Sequence, residues 1–210
     1  TNPLTVGFPT DEEFPFVLDC ATSITQRGKI EYYARMGMDT PAGMVVGRDG
    51  KAHTDSVAIL NELNTAQAAL APLGGIGEDL AGYKGYGYAT VVEVLSAALQ
   101  QGNFLRALSG IGENGGKVPF HLGHWFIAID PEAFMGLESF KKTCGDILRD
   151  LRGSQKAPGC ERIYTAGEKE YLTWCERKVT GVKINPAVQK EMIAVRDELG
   201  LTQYKFPFED

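Results

Sequence analysis

The stretch Pro72-Leu-Gly-Gly-Ile-Gly-Glu-Asp-Leu-Ala-Gly-Tyr-Lys-Gly-Tyr-Gly-Tyr88 carries six glycines, three tyrosines and a single lysine, Lys84. It runs without a break into Ala89-Thr-Val-Val-Glu-Val-Leu-Ser-Ala-Ala-Leu-Gln-Gln101. In that second part Val91, Val94, Leu95, Ala98 and Leu99 recur at helical spacing, which predicts a helix with that face buried. The expected picture is a glycine-rich loop feeding a packed helix. Glycine lacks a Cβ and reaches positive φ cheaply, so such a loop lets backbone approach a ligand closely. The N–H groups at a helix start favour an anion such as a phosphate. A surface loop whose glycines only make turns has the same composition, and both readings stand at this point.

The named phosphate motifs do not fit. A P-loop needs Lys directly after its last Gly, followed by Ser or Thr. Here Tyr83 follows Gly82, and Gly85 follows Lys84. In the dinucleotide fingerprint G-x-G-x-x-G, Gly85 and Gly87 supply the first two glycines but Thr90 stands in the third place. A nucleotide bound here is held by some other arrangement.

The rest of the chain sets broad bounds. Its 210 residues suit one large domain or two small ones, and 43% hydrophobic content suffices for a core. A net charge of −6 argues against nucleic acid or an anionic membrane as the main partner. No apolar run approaches the roughly 18 residues of a membrane span. The N-terminal segment has no signal-peptide pattern. Cys20, Cys144, Cys160 and Cys175 form no C-x-x-C pair, so they read as reduced thiols in a cytoplasmic protein rather than as a disulfide framework or a zinc site.

Taken in order, Leu4 to Phe8 and Phe14 to Asp19 read as two strands joined by a turn at residues 9–13. Cys20 to Met36 follows as a helix, with Thr22 or Ser23 as its cap and Gly37 as its end. Asp19 to Ser23 is thus a junction of small and polar groups. It is either a ligand-facing turn or a plain helix cap. Residues 39–56 read as irregular, and His53 there is a lone histidine. Ser56 to Leu63 reads as a short helix, and residues 102–116 as a mobile connection. Trp125 to Ile129 is an apolar run bounded by Gly and Pro, which predicts a buried strand. His121 and His124 lack a third ligand, so packing is their default role. Leu137 to Leu151 is an amphipathic helix. Arg162 to Thr165 is a short strand entering the Gly167-Glu168-Lys169 turn, which is either a ligand contact or an ordinary helix start. Asn185 caps a last helix ended by Gly200. The tail after Lys205 is expected to dock on another surface or another subunit.

These segments resemble the type 2 malate/L-lactate dehydrogenase family, which includes ureidoglycolate and sulfolactate dehydrogenases. Thr1-Asn-Pro is similar to its G-T-N-P strand opening, and Asp19-Cys-Ala-Thr-Ser to its D-M-A-T-S. Pro72-Leu-Gly-Gly and Gly82-Tyr-Lys-Gly-Tyr-Gly-Tyr88 look like P-L-G-G…G-Y-K-G-Y-G-L, with Ile76 to Ala81 as an insert. Gly123-His-Trp-Phe-Ile-Ala-Ile-Asp130 is similar to G-H-F-F-I-A-I-D. Ala166-Gly-Glu stands where P-G-E is usual.

The resemblance implies an α/β (α+β type) fold: a largely antiparallel sheet with flanking helices, and a dinucleotide site that is not a Rossmann fold. It implies NAD or NADP as cofactor, contacted by Asp19, Cys20, Ala21, Lys84, Gly85, Gly167, Glu168 and Lys169. It implies hydride transfer to or from a small 2-oxo or 2-hydroxy acid, in a homodimer. Residues 1–184 would be the NAD(P)-binding portion, and 185–210 part of a helical outer domain. The family's acid/base histidine belongs to a segment upstream of Thr1, so none of His53, His121 and His124 is assigned to it. On that reading the chain is the C-terminal part of an enzyme, about 60% by the usual size priors. The alternative is a non-catalytic dinucleotide-binding module that has lost the acid/base region.

Overall fold

A computed structural model describes residues 2–209. Thr1, which opens the Thr-Asn-Pro match, lies outside the described residues, as does Asp210. The chain falls into two compact units, Thr1–Gly167 and Glu168–Asp210.

The first unit opens with an antiparallel hairpin. Strand β1 (Pro3–Phe8) pairs with β2 (Phe16–Ala21), with Leu4 opposite Cys20 and Thr5 opposite Asp19. The second strand begins and ends later than the sequence pattern suggests. Pro15 has no N–H to give a ladder, so pairing starts at Phe16. The connecting turn is closed by the Thr10 hydroxyl, which donates to the Phe14 carbonyl at 2.7 Å and accepts from the Glu12 N–H at 3.2 Å.

Because β2 runs on through Ala21, neither Thr22 nor Ser23 caps a helix. Helix α1 (Arg27–Arg35) starts after Gln26, which makes no side-chain capping bond, and Gly37 follows its end at φ +65°. Residues 39–56 are not wholly irregular. Val45–Gly47 is strand β3, paired antiparallel with β4 (Ala68–Leu70), Val45 opposite Leu70. Three residues are too few to display the alternation by which a strand is read. Helix α2 (Ser56–Asn64) lies between them in sequence. The Asp55 carboxylate caps it, accepting from the N–H groups of Val57 and Ala58 at 3.0 and 2.9 Å. Ile30, Val45 and Ile59 form a fully buried cluster, flanked by Met44, Leu60, Leu63, Ala68 and Leu70.

Helix α3 (Gly82–Ala97) takes in the glycine- and tyrosine-rich run that the composition marks as a loop. It buries Gly82, Gly85, Val92, Ser96 and Ala97. The face expected to be buried is largely open: Val91, Val94 and Leu99 are 55%, 53% and 64% exposed. The connection after it holds a 3-10 turn at Leu105–Ser109 and a bridge between Ile111 and Lys117.

Two expected strands do not form. Trp125 to Ile129 is irregular, without a strand partner among the described residues, and Phe126 is 87% exposed. Arg162 to Thr165 is likewise irregular. Strands need partners to satisfy their backbone groups. The antiparallel character holds, but the sheet is two separate two-stranded ladders.

Helix α4 (Leu137–Gly153) docks on the β1–β2 turn through charge and aromatic contacts. Arg149 meets both Asp11 oxygens at 2.9 and 3.1 Å, Arg152 pairs with Glu12, and Phe140 meets Phe8 edge-on at 6.2 Å.

In the second unit are α5 (Glu168–Thr180) and α6 (Pro186–Glu198), the latter capped by Asn185 and followed by Gly200 at φ +65°. Within this unit the tail folds back onto α6. Arg196 binds both Glu209 oxygens at 2.6 and 2.7 Å and lies 5.5 Å from the Phe206 ring centre. No helix of the described residues is long and apolar enough to cross a membrane.

Candidate functional site

Asp19, Cys20 and Ala21 are the last residues of β2. The Asp19 carboxylate accepts from the Thr5 hydroxyl across the ladder at 2.7 Å. Beyond Ala21 the chain is laced to the start of the glycine stretch. The Leu73 N–H donates to the Thr22 carbonyl at 3.1 Å, the Ile24 N–H donates to the Ala71 carbonyl at 2.8 Å, and Ser23 bridges Pro72. The end of β2 and the strap at residues 71–73 are therefore one piece of backbone structure.

The glycine stretch then folds onto its own helix. A Cβ on Gly85 would stand 2.2 Å from the Leu73 carbonyl oxygen, and one on Gly82 2.2 Å from the Gly75 oxygen. Both positions exclude any side chain, so two turns of backbone pack directly on α3. Gly74, Gly75 and Gly77 sit at φ +98°, +93° and +81°, which lets the loop reverse in so short a space. Ala81, itself left-handed at φ +59°, precedes the helix and offers no capping side chain. The first N–H groups of α3 thus lack a side-chain acceptor. Lys84 projects from this first turn. It is exposed, its ammonium 6.0 Å from the Tyr83 ring centre, and it meets no carboxylate among the described residues.

Gly167 touches the opposite end of the same strand. At φ +90°, its Cβ would lie 3.0 Å from both the Pro15 oxygen and the Val17 nitrogen, and the Val17 N–H donates to the Ala166 carbonyl at 3.2 Å. Ala166, the departure from P-G-E, acts here through a carbonyl that proline also carries, so the substitution loses no bond. Asp19, Cys20, Ala21, Lys84, Gly85 and Gly167 therefore belong to one framework built on β2 and the strap. Glu168 and Lys169 open α5 in the second unit, where Glu168 is buried and Lys169 exposed.

Thr22 stands out within the Asp19 to Ser23 junction. Thr22 is 3% exposed, and its hydroxyl has no hydrogen-bond partner among the described residues. Leaving such a group unpaired costs about 1–3 kcal/mol. Of the two readings open for this junction, a ligand-facing turn or a plain helix cap, the cap does not form.

The histidines are elsewhere. His53 Nδ1 lies 2.7 Å from Glu62 and Nε2 3.6 Å from Asp49. The Glu62 hydrogen bond, with the field of Asp49, raises its pKa above the usual 6.5. Both ring nitrogens face carboxylates in a partly exposed setting, so His53 is a structural ion-pair partner. His121 and His124 are exposed. Among the described residues no three His, Cys, Asp or Glu side chains are grouped to hold a metal, and all four cysteines are free.

Residues 1–193 match the family model described as malate/L-lactate dehydrogenase. The chain belongs to this family. It is 37% identical over 201 residues to the malate dehydrogenase of Pyrococcus horikoshii, covering 96% of this chain and 53% of the relative. The L-sulfolactate dehydrogenase of Methanocaldococcus jannaschii is 34% identical over 96% of this chain and 53% of its own. The crystal structure of malate dehydrogenase from Entamoeba histolytica superposes with a TM-score of 0.89 at 40% identity, over 98% of this chain and 55% of that one. This member of the family therefore spans about half the length of the curated relatives it matches, less than the share expected from the usual size priors.

Proposed function

We propose that the chain is the dinucleotide-holding part of an NAD(P)-dependent oxidoreductase acting between a 2-oxo acid and its 2-hydroxy acid. Its relatives named as malate and sulfolactate dehydrogenases support the reaction class. The observation that carries the reading is the lacing of Thr22 and Gly85 through Leu73, which joins two of the expected cofactor segments into one framework.

The residues present suit a dinucleotide. Lys84 offers an unpaired point charge to a phosphate or ribose oxygen. Asp19 can accept from a ribose hydroxyl, and the unpartnered Thr22 hydroxyl is a group that a ligand's polar atom would satisfy. The uncapped start of α3 adds N–H groups that favour negative charge. When bound, the nicotinamide supplies or takes up the hydride, and the protein positions and protects it. No histidine of this chain belongs to the framework, so the acid/base group is proposed to lie in the part of the family's fold that this chain does not span.

The test is the melting temperature of the purified chain with NADH and with NADPH. Nucleotide at about 100 times its Kd stabilises by about 2.7 kcal/mol, a readily visible rise. An unchanged melting temperature with both would overturn the reading. Steady turnover of pyruvate or oxaloacetate by the chain alone would overturn the assignment of acid/base chemistry elsewhere.

A further inference from the structure

Away from that framework, the β3–β4 ladder borders a cavity of about 370 Å³. Small-molecule sites run from about 300 to 1,000 Å³, so its size suits a small metabolite. Val46 and Gly47 stand opposite Ala69 and Ala68 in the ladder, and Leu63 adds to the apolar wall. Among the described residues Arg48 and Arg106 are the only charged groups that line it.

Arg48 is held at two points. Its backbone N–H donates to the Gln67 carbonyl at 3.1 Å, and its Nε donates to the Ala66 carbonyl at 3.0 Å. The second bond fixes the guanidinium plane and leaves both terminal nitrogens without a protein partner among the described residues. Arg106, on the turn Leu105–Ser109, makes no hydrogen bond or ion pair among the described residues. Carboxylates close by in sequence are committed elsewhere. Asp49 accepts from the Lys51 N–H at 3.0 Å, and Glu62 meets His53 at 2.7 Å. Glu93 accepts from the Leu105 N–H at 2.7 Å. Two unneutralised guanidiniums thus share one cavity in a chain of net charge −6.

A guanidinium fork binds two oxygens of a phosphate or carboxylate in parallel, with bonds about twice as strong as neutral ones. Two forks match a ligand group with two negative charges. A phosphate monoester carries about 1.5 to 2 at neutral pH, spread over three oxygens. The apolar wall suits an apolar body attached to that phosphate.

We infer that this cavity binds a small phosphate monoester. Arg48 and Arg106 hold the phosphate, and the body lies against Val46, Leu63 and the ladder alanines. The inference is independent of the dinucleotide framework, which shares none of these residues.

The test is calorimetric titration of the 210-residue chain with phenyl phosphate, a monoester with an apolar body. The expected result is saturable one-to-one binding. Arg48→Gln and Arg106→Gln should each weaken it about tenfold or more, the loss of a charge-assisted hydrogen bond. Arg106→Gln removes no contact within the described chain, so the melting temperature without ligand should not move and the effect reads as binding alone. Arg48→Lys keeps the charge but not the fork, and should recover little. Lys84→Gln, on α3, should leave the affinity for phenyl phosphate unchanged. Absence of saturable binding would overturn the proposal, as would an affinity indifferent to Arg106→Gln or lost with Lys84→Gln. Equal affinity for benzoate or malate would also overturn it, because the first lacks the second charge and the other lacks the phosphate.

Discussion

Gly85 and Leu73 are in direct backbone contact: the position a Cβ would take on Gly85 lies 2.2 Å from the Leu73 carbonyl oxygen and 2.5 Å from its nitrogen. Leu73 in turn donates its N–H to Thr22. Through this one residue, the helix that carries Lys84 is held to the strand that carries Asp19, Cys20 and Ala21.

Two glycines on α3 should therefore respond oppositely to the same change. Gly85→Ala forces the strap off the helix and should destabilise by about 1–3 kcal/mol, as overpacking does. Gly87, two residues on, has nothing within 4 Å of its Cβ position. Gly87→Ala should stabilise by about 0.5–1 kcal/mol through helix propensity. Urea denaturation of the two variants checks both signs.

Thr22→Val removes a buried hydroxyl without a partner while keeping the shape. The free chain should be unchanged or up to about 1 kcal/mol more stable, because an unsatisfied group is deleted. Nucleotide affinity should fall if a ligand atom normally meets that hydroxyl. Melting curves with and without NADH separate the two effects.

Lys84→Gln should leave the melting temperature of the free chain alone, since the side chain is exposed and makes no ion pair among the described residues. It should weaken NADH binding about tenfold, the loss of roughly 1.4 kcal/mol of charge interaction. Lys84→Arg should restore part of it. Fluorescence titration reads all three.

His53 gives a pH signature with a definite sign. Its pKa is raised in the folded chain by the Glu62 carboxylate hydrogen-bonded to it, with Asp49 adding to the effect. The stabilisation is therefore fully present below the unfolded value near 6.5 and is lost as pH rises through the higher folded value. The stability gap between the native chain and His53→Gln should shrink between pH 6 and pH 8. A gap that widens over that range would contradict the assignment.

The parts that the sequence disclosed are those in which local chemistry settles local structure. Asp55 ahead of Ser56 to Leu63 is enough to place α2, and Gly37 and Gly200 mark helix ends that appear at positive φ. The glycine run misleads because its helix is imposed by packing: Gly82 and Gly85 are helical despite their poor propensity, since only they admit the backbone of Gly75 and Leu73. The apolar face of α3 misleads in the other direction, since periodicity states which residues would be buried together and not whether a partner is present. Trp125 to Ile129 is the same case for a strand. The motif Asp19-Cys-Ala-Thr-Ser left a ligand-facing turn and a helix cap both open for Thr22, because the lacing to residues 71–73 is a long-range contact that no local pattern records.

The central claim is that the β2 end, the strap and the first turns of α3 together hold the dinucleotide. Hydrogen exchange on the intact chain, with and without saturating NADH or NADPH, tests it most directly. The account predicts added protection in residues 19–24 and 71–88 and no change at Val45–Gly47 or Ala68–Leu70, which lie in the separate ladder. Protection confined to other segments, or none with either nucleotide, would contradict it.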